Sequence, residues 1–244
     1  MKCLKKIGCI LLLVLICVKD FNFINYSNNT LAGQEMRTQV LYLAGIIDND
    51  INLSDYINRA EFAKMVAKAS TYKDSISKVS LSDVFNDVKK DNLYASYIKL
   101  VTKEGYINAY LGGMFKPENP VTYRDLVRAT TSLLGYTDDD FANDKLNGRY
   151  ELFCSLELNE NIEKNIDEYV TKVDCVNAIY NMLKTKTKNG QVYGTTTFDL
   201  SINTDGELNA SGLLKVKMRG PFIFKGVILY QSYFLLMQMK EIIS

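Results

Sequence analysis

Three short stretches of the sequence share one pattern. An apolar residue is followed by a polar residue, two further residues, an acid and a second apolar residue, and this spacing allows specific hydrogen bonds at the start of a helix. In each stretch the Asn or Thr side chain can accept from a backbone N–H in the first turn of a helix, and the acid can reach back to the cap's own N–H. The flanking apolar residues are spaced to form a hydrophobic staple. The stretches are Ile57–Phe62, Val121–Leu126 and Val170–Cys175, and they predict these capping residues: Asn58, Glu61, Thr122, Asp125, Thr171 and Asp174.

Helix capping does not explain the residue that follows the first cap. Arg59 occupies the first helical position, where a cation opposes the positive end of the helix dipole at a cost of roughly a few tenths of a kcal/mol. The placement is favourable if an anion binds both the guanidinium and the free N–H groups, because helix N-termini bind carboxylates well. An exposed Arg paired with a neighbouring acid is the alternative, since such pairs are common on surfaces. The residues alone leave both interpretations open.

The composition narrows the chemistry of the chain. The sequence has no histidine, which removes Ser-His-Asp and Cys-His catalysis and His-ligated zinc. Lys and Arg number 29 against 28 Asp and Glu, so no net field attracts a nucleic acid. A calcium-loop-like stretch, Asp48–Asn52, has Leu53 at the sixth position and Arg59 at the twelfth, in place of the Gly and Glu such loops require. We expect no enzymatic activity, no cofactor, no metal and no nucleic-acid partner.

The N-terminus has the organisation of a secretory signal. Lysines precede an apolar run from Ile7 to Val18, which is shorter than the roughly 20 residues that span a bilayer. Small residues around Ala32 offer a cleavage point. We therefore expect residues 1–32 to be a signal peptide and the mature chain to be secreted to the cell surface without a membrane segment. An uncleaved anchor, and a lipoprotein modified at Cys17, are the alternatives.

Two cysteines lie beyond this signal, Cys154 and Cys175, with no CxxC spacing between them. We interpret them as small apolar side chains packed in the interior. A single disulfide, which an extracellular compartment permits, is the alternative.

Each capping stretch opens a helical pattern of apolar residues, and a second amphipathic helix precedes each one. The upstream helices run through Val40 to Gly45, from Leu93 to Gly105, and from Tyr150 to Leu156. One helix pair of this size cannot bury its own apolar face, whereas three stacked pairs can. The capped helices carry Phe62, Met65, Val66 and Ala69, then Leu126, Ala129, Leu133 and Leu134 with Gly135 at the end, and finally Cys175, Ala178, Ile179, Met182 and Leu183.

The pattern changes after Lys188. Apolar and polar residues alternate from Thr196 to Ile202 and again from Leu214 to Met218, with Asp205–Gly206 between them, which predicts a β-hairpin with a loop longer than two residues. The apolar stretch Phe222–Met237 has no clean period and is too short for a membrane span. We interpret it as a core strand.

At this point the residues resemble the S-layer homology family. The second repeat matches best, and the first is close to the family's Thr-Arg-Ala-Glu signature at Asn58–Ala63; the third is the weakest. The similarity covers about residues 36–188. In the second repeat it rests on Phe85–Val88, Glu104–Ile107, the Gly-containing loop Tyr110–Pro117 and Val121–Thr122.

The resemblance implies a mainly α fold of three helix-loop-helix repeats in a pseudo-threefold arrangement, followed by a short β-hairpin-like C-terminal segment. It implies non-covalent binding of a secondary cell-wall polysaccharide with acidic, often pyruvylated, sugars. At the position after each cap, Arg59 would receive the acid, Tyr123 would stack on a sugar ring and Lys172 would act as a point charge. The matched motifs add Arg124, Tyr110 and Asp87 as ligand-binding candidates. The expected divisions are 1–32 for the signal, 33–75, 76–137 and 138–188 for the repeats, and 189–244 for the C-terminal segment.

Departures from the family pattern predict fewer than three competent grooves. Only Arg59 occupies the family's Arg position, and Gly112 stands where the loop usually has Asp. A helical interaction or assembly module that has lost sugar binding, with surface-protein partners or self-assembly, is therefore the alternative function. The residues after Lys188 are few for a cargo domain, so we expect a truncated member of the family.

Overall fold

The computed structural model describes residues 29–48, 51–141, 144, 147–203, 206–209, 222–224 and 227–229. The chain divides into a unit that ends at Gln39 and a unit that begins at Val40. Of the first unit the structure describes residues 29–39, which belong to a helix. The expected signal peptide therefore lies outside the described residues, apart from its last four positions at the start of that helix.

The fold is mainly helical. Two short 3-10 turns, Lys73–Ser75 and Asp138–Phe141, accompany the helices, and the strands pair antiparallel, β1 with β2 and β3 with β4. The helices are α1 (Asn29–Leu43), α2 (Arg59–Ala69), α3 (Ala95–Lys103), α4 (Tyr123–Leu133), α5 (Asn147–Ser155), α6 (Lys172–Lys184) and α7 (Tyr193–Phe198); the strands are β1 (Ser201–Ile202), β2 (Leu208–Asn209), β3 (Phe222–Phe224) and β4 (Val227–Leu229).

Helices α2, α4 and α6 begin at the three predicted caps and supply the centre of the core. Phe62, Leu126 and Ile179 have almost no exposed surface, and α4 contacts both α2 and α6. The chain leaves α4 through Gly135, whose φ of 93° lies in the left-handed region, as expected for the residue that follows a helix. Burial of these apolar faces, at about 1.5–3 kcal/mol for each large side chain, is what stabilises the helices in place.

Short extended segments before the capped helices join in a closed ring of backbone hydrogen bonds. The N–H of Ile57 donates to the carbonyl of Val170 at 3.4 Å, that of Val121 to Ile57 at 3.1 Å, and that of Val170 to Val121 at 3.0 Å. All three side chains are buried. Each capped segment is thereby bonded to both of the others, although the three are far apart in sequence.

The predicted upstream helices correspond to α1, α3 and α5. Ile98, Val101 and Phe153 are fully buried against the core. One residue was assigned wrongly: Leu93 precedes α3 and is 87% exposed. Its apolar side chain fits the helical spacing, but the chain turns at this point and carries it away from the core.

The C-terminal segment differs from the predicted hairpin. Thr196 and Phe198 lie in α7 and not in a strand. The helix forms because Tyr193 and Phe198 can then both be buried, and the Tyr193 hydroxyl donates to the carbonyl of Ala69 at 2.9 Å. This tertiary packing outweighs the local alternation from which the strand was predicted.

Two short strand pairs follow α7. In the backbone register, Ile202 pairs with Leu208 in the first pair and Ile223 pairs with Ile228 in the second. The predicted strand Leu214–Met218 and the part of Phe222–Met237 beyond Leu229 lie outside the described residues.

Candidate ligand-binding site

The N-termini of the three capped helices are occupied by carbonyl groups from elsewhere in the chain. In α2 the N–H groups of Arg59 and Ala60 donate to Asn119 and Pro117, each at 2.9 Å. The first N–H of α4 donates to Glu168 at 2.8 Å, and the first N–H of α6 donates to Asp55 at 2.8 Å. These donors are therefore not free for a ligand carboxylate, which removes one of the two attractions that the sequence suggested for an anion at Arg59.

The caps form from the residues that the sequence indicates. Asn58 accepts from the N–H of Glu61 at 2.8 Å and donates its own N–H to the Glu61 carboxylate at 3.2 Å. The N–H of Thr171 donates to Asp174 at 2.8 Å. At the second cap, Thr122 accepts from the N–H of Asp125 at 3.3 Å, while the Asp125 carboxylate also receives a guanidinium from another segment.

That guanidinium belongs to Arg59, whose side chain is 2% exposed. It donates to the carbonyls of Phe115 at 2.9 Å and Asn108 at 2.7 Å, and it lies 3.3 Å from Asp125. The guanidinium carbon lies 4.8 Å from the ring centre of Tyr110 and 4.6 Å from that of Phe115. Arg59 thus fixes the loop Tyr110–Pro117 against α2 by charge, hydrogen bonds and stacking, and its charge is covered by protein.

The residue at the equivalent position in α4, directly after the cap, is also buried. Tyr123 is 1% exposed, and its ring meets Phe153 and Tyr150 edge-on at centroid distances of 5.7 and 6.2 Å. Burial raises the pKa of Tyr123 above its usual value, with a further contribution from Tyr150. The ring is therefore packed in the core rather than presented to a sugar.

The equivalent position in α6 borders an open cavity. Lys172 is 16% exposed, and its ammonium lies 2.9 Å from the Glu61 carboxylate. The cavity has a volume of about 310 Å³, which is within the range that holds small ligands. It is lined by Ile46, Ile47, Asp48, Ile51, Asn52, Asp55, Ile57, Glu61, Lys64, Met65, Tyr94 and Lys172.

Charges of both signs surround this cavity, three carboxylates and two lysines. Lys64 donates to Asp48 at 2.6 Å. That hydrogen bond, with the nearby Lys68, lowers the pKa of Asp48 below its usual value. Burial opposes the charge on Lys64, but the bond to Asp48 outweighs it and raises the pKa of Lys64. Each ammonium has three donors, so Lys64 and Lys172 can both donate to a ligand without leaving their carboxylates.

The remaining candidates are spread over the surface. Asp87 accepts the N–H groups of Phe115 and Lys116 at 2.9 and 2.7 Å. Burial acts to raise the pKa of Asp87, but these two bonds outweigh it and hold the pKa below its usual value. Asp87 therefore shapes the loop. The ring of Tyr110, which is 41% exposed, has Arg59 at 4.8 Å and Lys116 at 4.3 Å from its centre.

Arg124, on α4, forms an exposed ion pair with Asp167. Neither Arg124 nor Asp87 lines the 310 Å³ cavity. The structure therefore does not bring the six sequence candidates into one site.

Sequence reasoning missed most of the cavity wall. Asp55 and Lys64 flank the first capping stretch, three residues from its cap and its acid respectively. Their spacing gives no signal, because Lys172, which joins them in the cavity wall, comes from a distant part of the sequence and is bonded to Asp55 and Glu61 by the fold. Tyr94, at the entry to α3, is likewise brought in by the fold.

The described residues offer neither a metal site nor a disulfide. Among the described residues, no group of three or more Cys, Asp or Glu side chains could hold a metal. Cys175 is buried, which raises the pKa of its thiol, and Cys154 is half-buried; both are free, so the structure has no disulfide between them. Within the described parts of the chain, no helix is long and apolar enough to cross a membrane.

Comparison with known proteins adds an independent observation. Residues 84–127, from the Val84–Val88 turn through α3 to the first half of α4, match the family model described as "S-layer homology domain". Residues 84–127 are thus similar to an S-layer homology domain. The matched residues include the loop that Arg59 fixes and the second capping stretch, so the S-layer homology match covers α3, that loop and the start of α4.

Two relatives extend beyond this S-layer homology domain. The chain is 24% identical over 180 residues, 72% of its length, to the surface layer protein of Brevibacillus choshinensis. It is 29% identical over 94 residues, 38% of its length, to the middle cell wall protein of Brevibacillus brevis. The chain spans only 15% and 9% of these two relatives. The domain and the relatives support a cell-surface location and, at a general level, a role in cell-wall anchoring.

Proposed function

We propose that the chain anchors an exported protein to the cell wall by binding a secondary wall polysaccharide, without catalysing a reaction. The S-layer homology domain and the two cell-surface relatives support this class of function. We further propose three S-layer homology repeats, at residues 33–75, 76–137 and 138–188, related by a pseudo-threefold axis. The closed ring of hydrogen bonds between Ile57, Val121 and Val170 supports that arrangement.

The observation that carries the binding proposal is the contrast between the three positions that follow the caps. Arg59 and Tyr123 are 2% and 1% exposed, whereas Lys172 borders a 310 Å³ cavity. The cavity combines donors on Lys64 and Lys172, carboxylate acceptors and the half-buried ring of Tyr94. A sugar needs this mixture, because its hydroxyl groups both donate and accept while its ring carbons are apolar.

An acidic sugar substituent would bind beside Lys172 and share its ammonium with Glu61. Charge-assisted hydrogen bonds of this kind contribute about 1.5–3 kcal/mol. Replacing Lys172→Gln keeps the length of the side chain and removes its charge. It should weaken binding to isolated wall polysaccharide by about 10-fold or more, measured by isothermal titration.

The matched control is Lys99→Gln, because Lys99 is an exposed lysine on α3 that does not line this cavity. Thermal melts on the same proteins separate loss of binding from loss of fold. Equal affinity for the Lys172→Gln variant and wild type would remove this cavity as the binding site.

The burial of Arg59 and Tyr123 also favours a second candidate, a helical assembly module that has lost sugar binding. Their positions are filled by protein groups that hold the fold together. In that case wild type should bind intact surface-layer protein and not the isolated polysaccharide. The same titration, with each ligand in turn, distinguishes the two functions.

A further inference from the structure

Two exposed tyrosines flank the hydrogen-bonded ring, each directly before one of its buried residues. Tyr56 is 63% exposed and Tyr169 is 52% exposed. They adjoin Ile57 and Val170, whose buried side chains point to the opposite face of the same extended segments. Tyr56 pairs with Thr171 across the ring, which makes Tyr169 its diagonal neighbour. Residues so related share one face at a separation of about 7–8 Å, within reach of aromatic side chains.

The tyrosine pair adjoins residues of the cavity wall along both segments of the chain. Asp55 lines the cavity and directly precedes Tyr56, while Lys172 lines it and directly follows Thr171. The N–H of Lys172 donates to the carbonyl of Asp55 at 2.8 Å, so these two residues form one edge. Ile57 also lines the cavity and points away from the tyrosines, so a polymer reaches the two rings from the cavity by crossing this edge.

We propose that Tyr56 and Tyr169 form a platform on which sugar units of the wall polysaccharide stack outside the cavity. The platform rests on the proposed function and extends it from one sugar to a run of several. Each tyrosine offers an apolar ring face to the C–H groups of a sugar and a hydroxyl to its polar edge. The platform favours an extended chain over a single sugar, since a single sugar fills only the cavity.

A protein partner fits this surface less well. The two side chains together expose on the order of 250 Å², whereas a stable protein interface buries about 800 Å² on each partner. The pair is therefore too small to hold a protein by itself. It is large enough to contact two sugar rings.

The test compares long and short pieces of one ligand. Polysaccharide is released by mild acid from the cell walls of the producing organism and separated into long fragments and single repeating units. Tyr56→Ala and Tyr169→Ala should each raise the Kd for long fragments about 2- to 10-fold. The Kd for single repeating units should not change. Tyr56→Phe and Tyr169→Phe, which keep the ring, should bind like wild type.

Tyr72→Ala is the matched control, because Tyr72 is 43% exposed and lines neither the ring nor the cavity. Unchanged binding of long fragments by both Tyr→Ala variants would overturn the platform, and the anchoring function would stand if Lys172→Gln still weakened binding. Equal weakening for long and short fragments would also overturn it, because the tyrosines would then act on the cavity. If wild type binds neither fragment, the proposed function fails and the platform with it.

Discussion

At the scale of single residues, buried arginines hold separate segments of the fold together. Arg59 joins α2 to the loop Tyr110–Pro117, and Arg149 joins α5 to the turn after α4. Arg149 is 3% exposed, lies 2.7 Å from Asp138 and donates to Thr131 at 2.9 Å. Arg128 holds the same Asp138 through two bonds, at 3.0 and 3.1 Å. These bonds, with that of Arg128 first, lower the pKa of Asp138 to about 2.

The ion pairs of Asp138 with Arg128 and Arg149 predict an acid-sensitive contribution to the free energy of unfolding. Because the folded state lowers this pKa from its usual 3.8, the contribution is present above about pH 4 and disappears as the pH falls towards 2. Asp138→Asn should lower the free energy of unfolding by about 1–3 kcal/mol at pH 7, since it leaves the charge of Arg149 without a partner. Urea unfolding at pH 7 and pH 2.5 measures this, and the difference between variant and wild type should shrink at the lower pH.

Asp139→Asn is the control for that measurement, because Asp139 is the next residue along and is exposed. It should unfold like wild type at both values of pH. If the free energies of unfolding of Asp138→Asn and wild type differ by the same amount at both values of pH, the carboxylate does not act through its charge.

At the scale of elements, α7 packs into the same compact unit as the capped helices. Tyr193, Phe198 and Leu200 are buried, and Tyr193 bonds to the last turn of α2. The close approach of α7 to α6 depends on Gly194, where an added Cβ would lie 2.7 Å from the carbonyl oxygen of Leu183. That distance is shorter than a non-bonded contact allows, so one of the two helices would have to move.

Gly194→Ala therefore tests how α7 is held. The substitution should lower the free energy of unfolding by about 1–3 kcal/mol, the range for overpacking, even though alanine favours helix. Thr195→Ala, at the exposed next position, should have no such cost. Chemical denaturation of the two variants and wild type provides the comparison, and a Gly194→Ala variant as stable as wild type would mean that α7 is not packed this closely.

At the scale of the whole molecule, local patterns predicted the helices and long-range contacts decided the site. The capping stretches predicted where α2, α4 and α6 begin because capping involves residues three apart. The burial of Arg59 could not be predicted, since its partners Asn108, Phe115 and Asp125 are brought to it by the ring. For the same reason an exposed cationic site was expected at Arg59, and the open cavity lies instead at Lys172, the position with the weaker sequence signature.

The central claim is that the chain recognises a polysaccharide of the wall, and sedimentation with purified sacculi tests it most directly. Sacculi are used before and after acid extraction that strips the secondary polymer and leaves the peptidoglycan. The protein should sediment with untreated sacculi, remain in solution with stripped ones, and be released from the untreated ones by denaturant alone. Equal sedimentation with both preparations, or none with untreated sacculi, would contradict the claim.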